Sequence, residues 1–150
     1  MGRLLLRLTA LCLVVWGGLA LAQAPEETVF GPKTYNHPSA PPTEVVDSFT
    51  LPAGIAGPFT LKVWNGESDG QERVEAAWIL LNGVQVAGPN DFDRKTFYFE
   101  RALQVSPQNQ LTVKIHGRPG TKIRVGITGV RILPVPTALS PNPLSVTVGG

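Results

Sequence analysis

The chain has 150 residues, among them 16 Gly and 14 Pro; 43% of residues are hydrophobic, 16% are charged, and the formal net charge is +2. That is too apolar for a disordered chain, and the even spread of Gly and Pro excludes a helical bundle. The length accommodates one ordinary domain with appendages.

Residues 1–22 read as a secretory signal peptide. Arg3 and Arg7 supply the positive leading region, Leu8 to Val15 form a short apolar run, and Gly17-Gly18 breaks it ahead of small residues. Two A-x-A sites follow, Ala20-Leu21-Ala22 and Ala22-Gln23-Ala24. The second would leave Pro25 directly after the cut, so cleavage is expected between Ala22 and Gln23. The apolar stretch is shorter than the ~20 residues that span a bilayer, and no membrane span is expected after cleavage. Leu11 before Cys12 is not the small residue that lipidation requires. Cleavage removes the single cysteine and two of the 13 basic residues, leaving basic and acidic residues in equal number. The expectation is an exported domain, secreted or at the cell surface, held by its core without disulfides. With no basic tract, a nucleic-acid partner has no compositional support.

A polar leader, Gln23 to Glu27, precedes a body of short alternating runs, and residues 23–132 are assigned to one domain. Pro32 to Pro42 reads as a Pro/Ser-rich loop containing His37. In Thr43–Leu51, Val45, Asp47 and Phe49 share one side and Val46, Ser48 and Thr50 the other. Phe59, Leu61 and Val63 alternate with Thr60, Lys62 and Trp64, the period-two pattern of a half-buried strand. Gln71 to Asn82 is ambiguous, because Val74, Ala77, Trp78 and Leu81 also fit helical spacing. The Asn82-Gly83 dipeptide, a favoured two-residue hairpin turn, argues instead for a strand over Ala76–Leu81, buried on both faces, paired with Val84–Ala87. Thr96–Arg101, Leu111–Ile115 and Ile123–Ile127 repeat the strand pattern. Roughly eight short strands between turns predict an antiparallel β-sandwich, jelly-roll or Ig-like. The expected core includes Val45, Phe49, Phe59, Leu61, Val63, Trp78, Leu80, Leu111, Val113, Ile115, Ile123 and Val125.

From residue 133 the composition changes. Residues 133–150 carry four prolines and no charge, and read as an extended linker followed by a strand over Leu144–Val148. Pro136 to Gly150, with its Leu-Ser and Val-Thr-Val-Gly-Gly phrases, resembles the opening strand of bacterial Ig-like repeats. The body is similar to a module of secreted, multidomain bacterial proteins. The similarity is carried by Phe30-Gly31-Pro32-Lys33-Thr34-Tyr35, Phe49-Thr50-Leu51-Pro52-Ala53-Gly54, Asn65-Gly66 with Asp69-Gly70 and Arg73-Val74, and Leu81-Asn82-Gly83-Val84 with Gly88-Pro89-Asn90-Asp91-Phe92. Glu75-Ala76-Ala77-Trp78 departs from it, where small and hydroxyl residues are expected. The resemblance implies an extracellular β-sandwich and brings no activity with it.

The candidate chemistry is sparse. The only histidines, His37 and His116, have no second metal ligand at helical spacing, and no catalytic arrangement is expected. Asn65-Gly66-Glu67-Ser68-Asp69-Gly70 places oxygen-bearing side chains at alternate positions and ends in Gly, a superficial likeness to a calcium loop. Asn65, Glu67 and Asp69, joined by Asp91 and Asp93 of a second acidic turn, are therefore the candidate calcium ligands. The competing reading is that Asn, Asp and Gly simply build hairpin loops. Trp64 and Tyr98 are candidate outward aromatics for stacking on a sugar, against an alternative in which Trp64 covers a sheet edge or an interdomain contact. Glu72, Arg73 and Glu75 read as a solvated loop and strand face, with Arg73 able to brace the loop through Asp69. Arg94, Lys95, Glu100 and Arg101 read as polar residues on an exposed sheet face. The leading expectation is a non-catalytic structural or display module, partnered by neighbouring domains of a longer chain. The alternative is a carbohydrate-binding module, with or without calcium, whose partner is a polysaccharide.

Overall fold

The structure is a computed structural model that describes residues 24–39 and 41–132. The expected signal peptide and the segment 133–150 lie outside the described residues. Eight strands follow in chain order: β1 Glu26–His37, β2 Thr43–Thr50, β3 Ile55–Asn65, β4 Ala76–Leu81, β5 Val84–Ala87, β6 Tyr98–Leu103, β7 Gln108–His116 and β8 Thr121–Arg131. One 3-10 turn, Pro89–Asp91, links β5 towards β6. The fold is all-β. Two four-stranded antiparallel sheets, ordered β1-β8-β3-β6 and β2-β7-β4-β5, pack face to face. No helix among the described residues is long and apolar enough to cross a membrane.

The alternation in the sequence becomes the core. Leu61 and Val63 of β3, Ile123, Val125 and Ile127 of β8, Leu111, Val113 and Ile115 of β7, and Ala77, Ile79 and Leu81 of β4 are all buried between the sheets. Each aliphatic side chain of this size contributes about 1.5–3 kcal/mol on burial. Val45, Phe49 and Phe59 pack against this core and are partly buried. Asn82 (φ 52°) and Gly83 (φ 79°) take the left-handed conformations of a type I′ turn, which is why this dipeptide closes the β4–β5 hairpin.

Three expectations are corrected. Pro32 to His37 is not loop: it is the second half of β1, a 12-residue strand at the edge of its sheet. Gly31-Pro32 sits where the β1–β8 register shifts between Phe30 and Lys33, and an edge position tolerates a proline that donates no ladder hydrogen bond. Second, β4 is buried on one face only. Ala77, Ile79 and Leu81 point inward, whereas Trp78 and Leu80 lie on the outer face and leave the core. Both alternation sets of this strand are apolar, so its inward side was not readable from pattern alone. Third, Arg101 pairs in register with Leu61, on the inner parity of edge strand β6, and ion-pairs with Asp91.

The two lateral seams between the sheets are closed by the same means. On the β1/β2 side, Phe30 meets Phe49 with ring centroids 5.0 Å apart. Lys33 Nζ and Tyr35 Oη both donate to Asp47, at 2.6 and 2.7 Å, and His37 is hydrogen-bonded to Thr43. On the β6 side, Phe92 meets Phe99 edge to face at 5.4 Å and Arg101 pairs with Asp91. An aromatic pair and an ion pair thus close each side of the sandwich.

Burial works to raise the Asp47 carboxyl, but the hydrogen bonds from Lys33 and Tyr35 outweigh it and hold the group below its ordinary range. Its stabilising contribution is present above the unfolded value of about 4 and is lost as pH falls through the folded value. Asp47→Ala is therefore expected to destabilise by about 1–3 kcal/mol at neutral pH. The difference from wild type should shrink as pH drops below about 4, measured by urea unfolding across that range.

Candidate functional site

β1 begins at Glu26 opposite Val130 and ends at His37 opposite Thr121, so both ends of the described residues leave from one pole of the sandwich. The opposite, distal pole carries residues 38–39 and 41–42 and the segments 66–75, 92–97 and 117–120. These are the loops free to vary around a fixed frame.

Asn65, the last residue of β3, organises this pole. It is completely buried, and its side chain behaves like a piece of backbone. Asn65 Oδ1 accepts from the Val74 amide at 2.8 Å, while Nδ2 donates to the carbonyls of Val74 and Asp93 at 3.0 and 3.1 Å. One amide therefore ties the 66–75 loop and the 92–97 segment to the end of β3. Only a primary amide satisfies two acceptors and one donor in this geometry. Gly66 follows at φ 66°, and a Cβ there would collide with the Gln71 carbonyl and the Arg73 amide.

The five candidate calcium ligands are spoken for separately. Asn65 is used as above. Glu67 pairs with Lys122 at 2.6 Å, and Asp69 caps the Gln71 amide at 2.9 Å. Asp91 accepts from the Gly88 amide and pairs with Arg101. Asp93 accepts from the Lys95 and Thr96 amides, and the Thr96 amide above all keeps its carboxyl below the ordinary range. Among the described residues, no three His, Cys, Asp or Glu side chains gather in a way that could hold a metal ion. Arg73 does not brace the loop through Asp69; its Nη1 donates to the Arg94 carbonyl, and its guanidinium lies over Phe97.

Trp64 and Tyr98 are brought together as cross-strand neighbours on the outer face of the first sheet, with ring centroids 5.2 Å apart. Trp64 is also covered by Arg124, whose guanidinium carbon stands 4.6 Å from the ring centroid. Tyr98 is 39% exposed and donates to Glu100; partial burial, then that hydrogen bond, push its hydroxyl up to about 12. Trp64 is thus a stacked member of an Arg-Trp-Tyr row, with a neighbour on each side.

The outer face of the second sheet presents the aromatic that sequence reasoning assigned to the core. Trp78 and Leu80 line an open depression of about 400 Å³ with Pro42, Gln85, Lys114 and His116. Trp78 lies opposite Lys114, and among the described residues no aromatic ring or cation stacks on it. A partly exposed indole flanked by a cation, an imidazole and an amide can stack on an apolar ligand face and hydrogen-bond its rim.

Compared with protein-family models, with curated proteins and with solved structures, the chain matches none.

Removing the Asn65 amide strands the amide and carbonyl of Val74. Asn65→Ala is expected to cost at least about 2 kcal/mol, measured by chemical unfolding. Asn65→Asp, which accepts but cannot donate, should cost at least as much. The internal engagement of the five side chains predicts a second result: the thermal midpoint should be the same in calcium and in chelator, whereas a rise with calcium would reveal a site.

Proposed function

We propose that the chain is a non-catalytic module of an exported protein, held at one pole and presenting the other. The observation that carries this reading is the pairing of β1 with β8, which puts both connections to the rest of the chain at one pole. Glu27 pairs with Arg131 at 2.7 Å, and Glu26 bridges Thr128 and Lys62, so the two ends are tied to each other and to the central strand. The strand order supports a jelly roll rather than an Ig-like sandwich, since β1-β8-β3-β6 over β2-β7-β4-β5 is two interlocked Greek keys. Neighbouring domains of a longer chain are the partners this arrangement suits.

With the single cysteine inside the expected signal peptide, Ser68→Cys puts a unique thiol on the distal pole. A membrane-impermeant maleimide should label it in intact producing cells. Labelling only after lysis would contradict export and display.

A second reading, a carbohydrate-binding module, is favoured by Trp78. Its unstacked ring on an open sheet face suits the apolar face of a sugar better than Trp64, which is already held by Arg124 and Tyr98. Against a panel of polysaccharides, Trp78→Ala should weaken binding by about tenfold or more, equivalent to about 1.4 kcal/mol, while Trp64→Ala retains it. Binding lost in Trp64→Ala and kept in Trp78→Ala would return the platform to the first sheet.

A further inference from the structure

The distal pole holds three guanidiniums from three different loops around one open depression. Arg73, Arg94 and Arg118 line a volume of about 320 Å³ together with Gly70, Gly120 and Thr121. Gly70 and Gly120 add no side chains to the lining, which Glu72 and Pro119 complete.

The charge around the depression is unevenly matched. Glu75 Oε1 accepts from Arg94 Nε at 2.8 Å, from Arg94 Nη2, and from Arg118 Nη2 at 3.2 Å. One carboxylate oxygen therefore serves two guanidiniums. Glu72, which also borders the depression, is turned to Lys122 at 2.6 Å. Arg73 donates to a backbone carbonyl, and its Nε is buried without a hydrogen-bond partner among the described residues. The Arg94 and Arg118 side chains remain 67% and 69% exposed; Glu75 occupies Arg94 Nε and Nη2 and Arg118 Nη2, and the Nη1 of each has no partner among the described residues. Planar guanidinium forks match a planar carboxylate in a bidentate pair better than a point charge does.

The depression also adjoins the Trp78 surface. Ala76 pairs in register with His116; Glu75 immediately precedes Ala76, and Arg118 follows His116 by two residues. The stacking surface and the guanidinium cluster thus meet at the distal edge of the β4–β7 pair. We propose that the Arg73–Arg94–Arg118 depression binds the carboxylate of an acidic glycan, a uronic-acid-containing polysaccharide, in competition with Glu75. This rests on the carbohydrate-binding reading and names its ligand class.

The test is calorimetric titration of the mature full chain with trigalacturonate, with neutral trigalactose and with inorganic phosphate. Trigalacturonate is expected to bind more tightly than either control, and to weaken as salt is raised, as contacts to exposed guanidiniums must. Arg118→Ala, in an exposed turn, should weaken it by about tenfold. Glu75→Gln should tighten it by about threefold, because the internal competitor loses its charge while Arg94 and Arg118 keep theirs; a purely structural Glu75 would not give this gain. Arg94→Lys, which retains charge but loses the fork, should fall between wild type and Arg118→Ala. Equal affinity for the neutral and acidic sugars, an unchanged Glu75→Gln, or phosphate binding as tightly as trigalacturonate would overturn the proposal. Neutral sugar binding that depends on Trp78 would then leave the broader glycan reading standing, whereas no sugar binding at all would remove both.

Discussion

A single buried side-chain amide ties two distal-pole segments to the end of β3, beside backbone bonds from Asn65 to Phe97 and from Lys122 to Glu72. Asn65 stands where β3 runs out of strand partners. Its side chain supplies the hydrogen bonds that a ladder would otherwise supply, to both the amide and the carbonyl of Val74 and to the carbonyl of Asp93. In a dry interior these bonds are stronger than at the surface, and leaving any of the groups unpaired is costly. The consequence extends outward. Val74 and Asp93 are the immediate neighbours of Arg73 and Arg94, and Arg73 in turn grips the Arg94 carbonyl. Two of the three loops that form the guanidinium-lined depression, those carrying Arg73 and Arg94, are therefore tied directly to the end of β3. A recognition surface built this way loses little conformational entropy on binding.

The frame beneath that pole is closed on both sides by matched devices. Phe30–Phe49 with Lys33–Asp47 seals one lateral seam, and Phe92–Phe99 with Arg101–Asp91 seals the other. At each seam the aromatic pair lies at the edge of the core with an ion pair beside it: Lys33–Asp47 joins the two sheets, and Arg101–Asp91 joins β6 to the 3-10 turn. The adjacent ends of the described residues complete the picture. Among the described residues, the distal pole lies at the far end of the sandwich from these two ends. This geometry unites the module reading with the placement of Trp78 and the arginine cluster.

Much of the fold was legible in the sequence because strand periodicity and turn chemistry are local signals. Phe59-Leu61-Val63 and Leu111-Val113-Ile115 state their inward sides plainly, and Asn82-Gly83 marks its hairpin to the residue. Two elements were not legible, for physical reasons. β1 hides behind Gly31 and Pro32, which signal a loop unless the strand lies at an edge with a bulge, and edge position is a property of the whole sheet. β4 is apolar on both parities, so Trp78, on the same alternation as Val74, Ala76 and Leu80, reads as core when the sheet instead turns that side outward. The candidate site suffered in the same way. In the sequence Asn65 reads only as one of five candidate calcium ligands, because an oxygen-bearing side chain in an Asn-Gly loop looks alike whether it faces a cation or a backbone amide. The three arginines lie at 73, 94 and 118, and nothing short of the strand pairing brings them together.

The most direct measurement of the account is amide hydrogen exchange at Val74. Val74 lies outside regular strand, in a stretch whose neighbours Glu72 and Glu75 are exposed, yet its amide is bonded to a completely buried Asn65 side chain. If Asn65 locks the distal pole to the core, the Val74 amide exchanges as slowly as those of Val113 and Val125, through global unfolding. Exchange at the fast rate of the surrounding loop would show that the clamp opens on its own and that the distal pole is not held by Asn65.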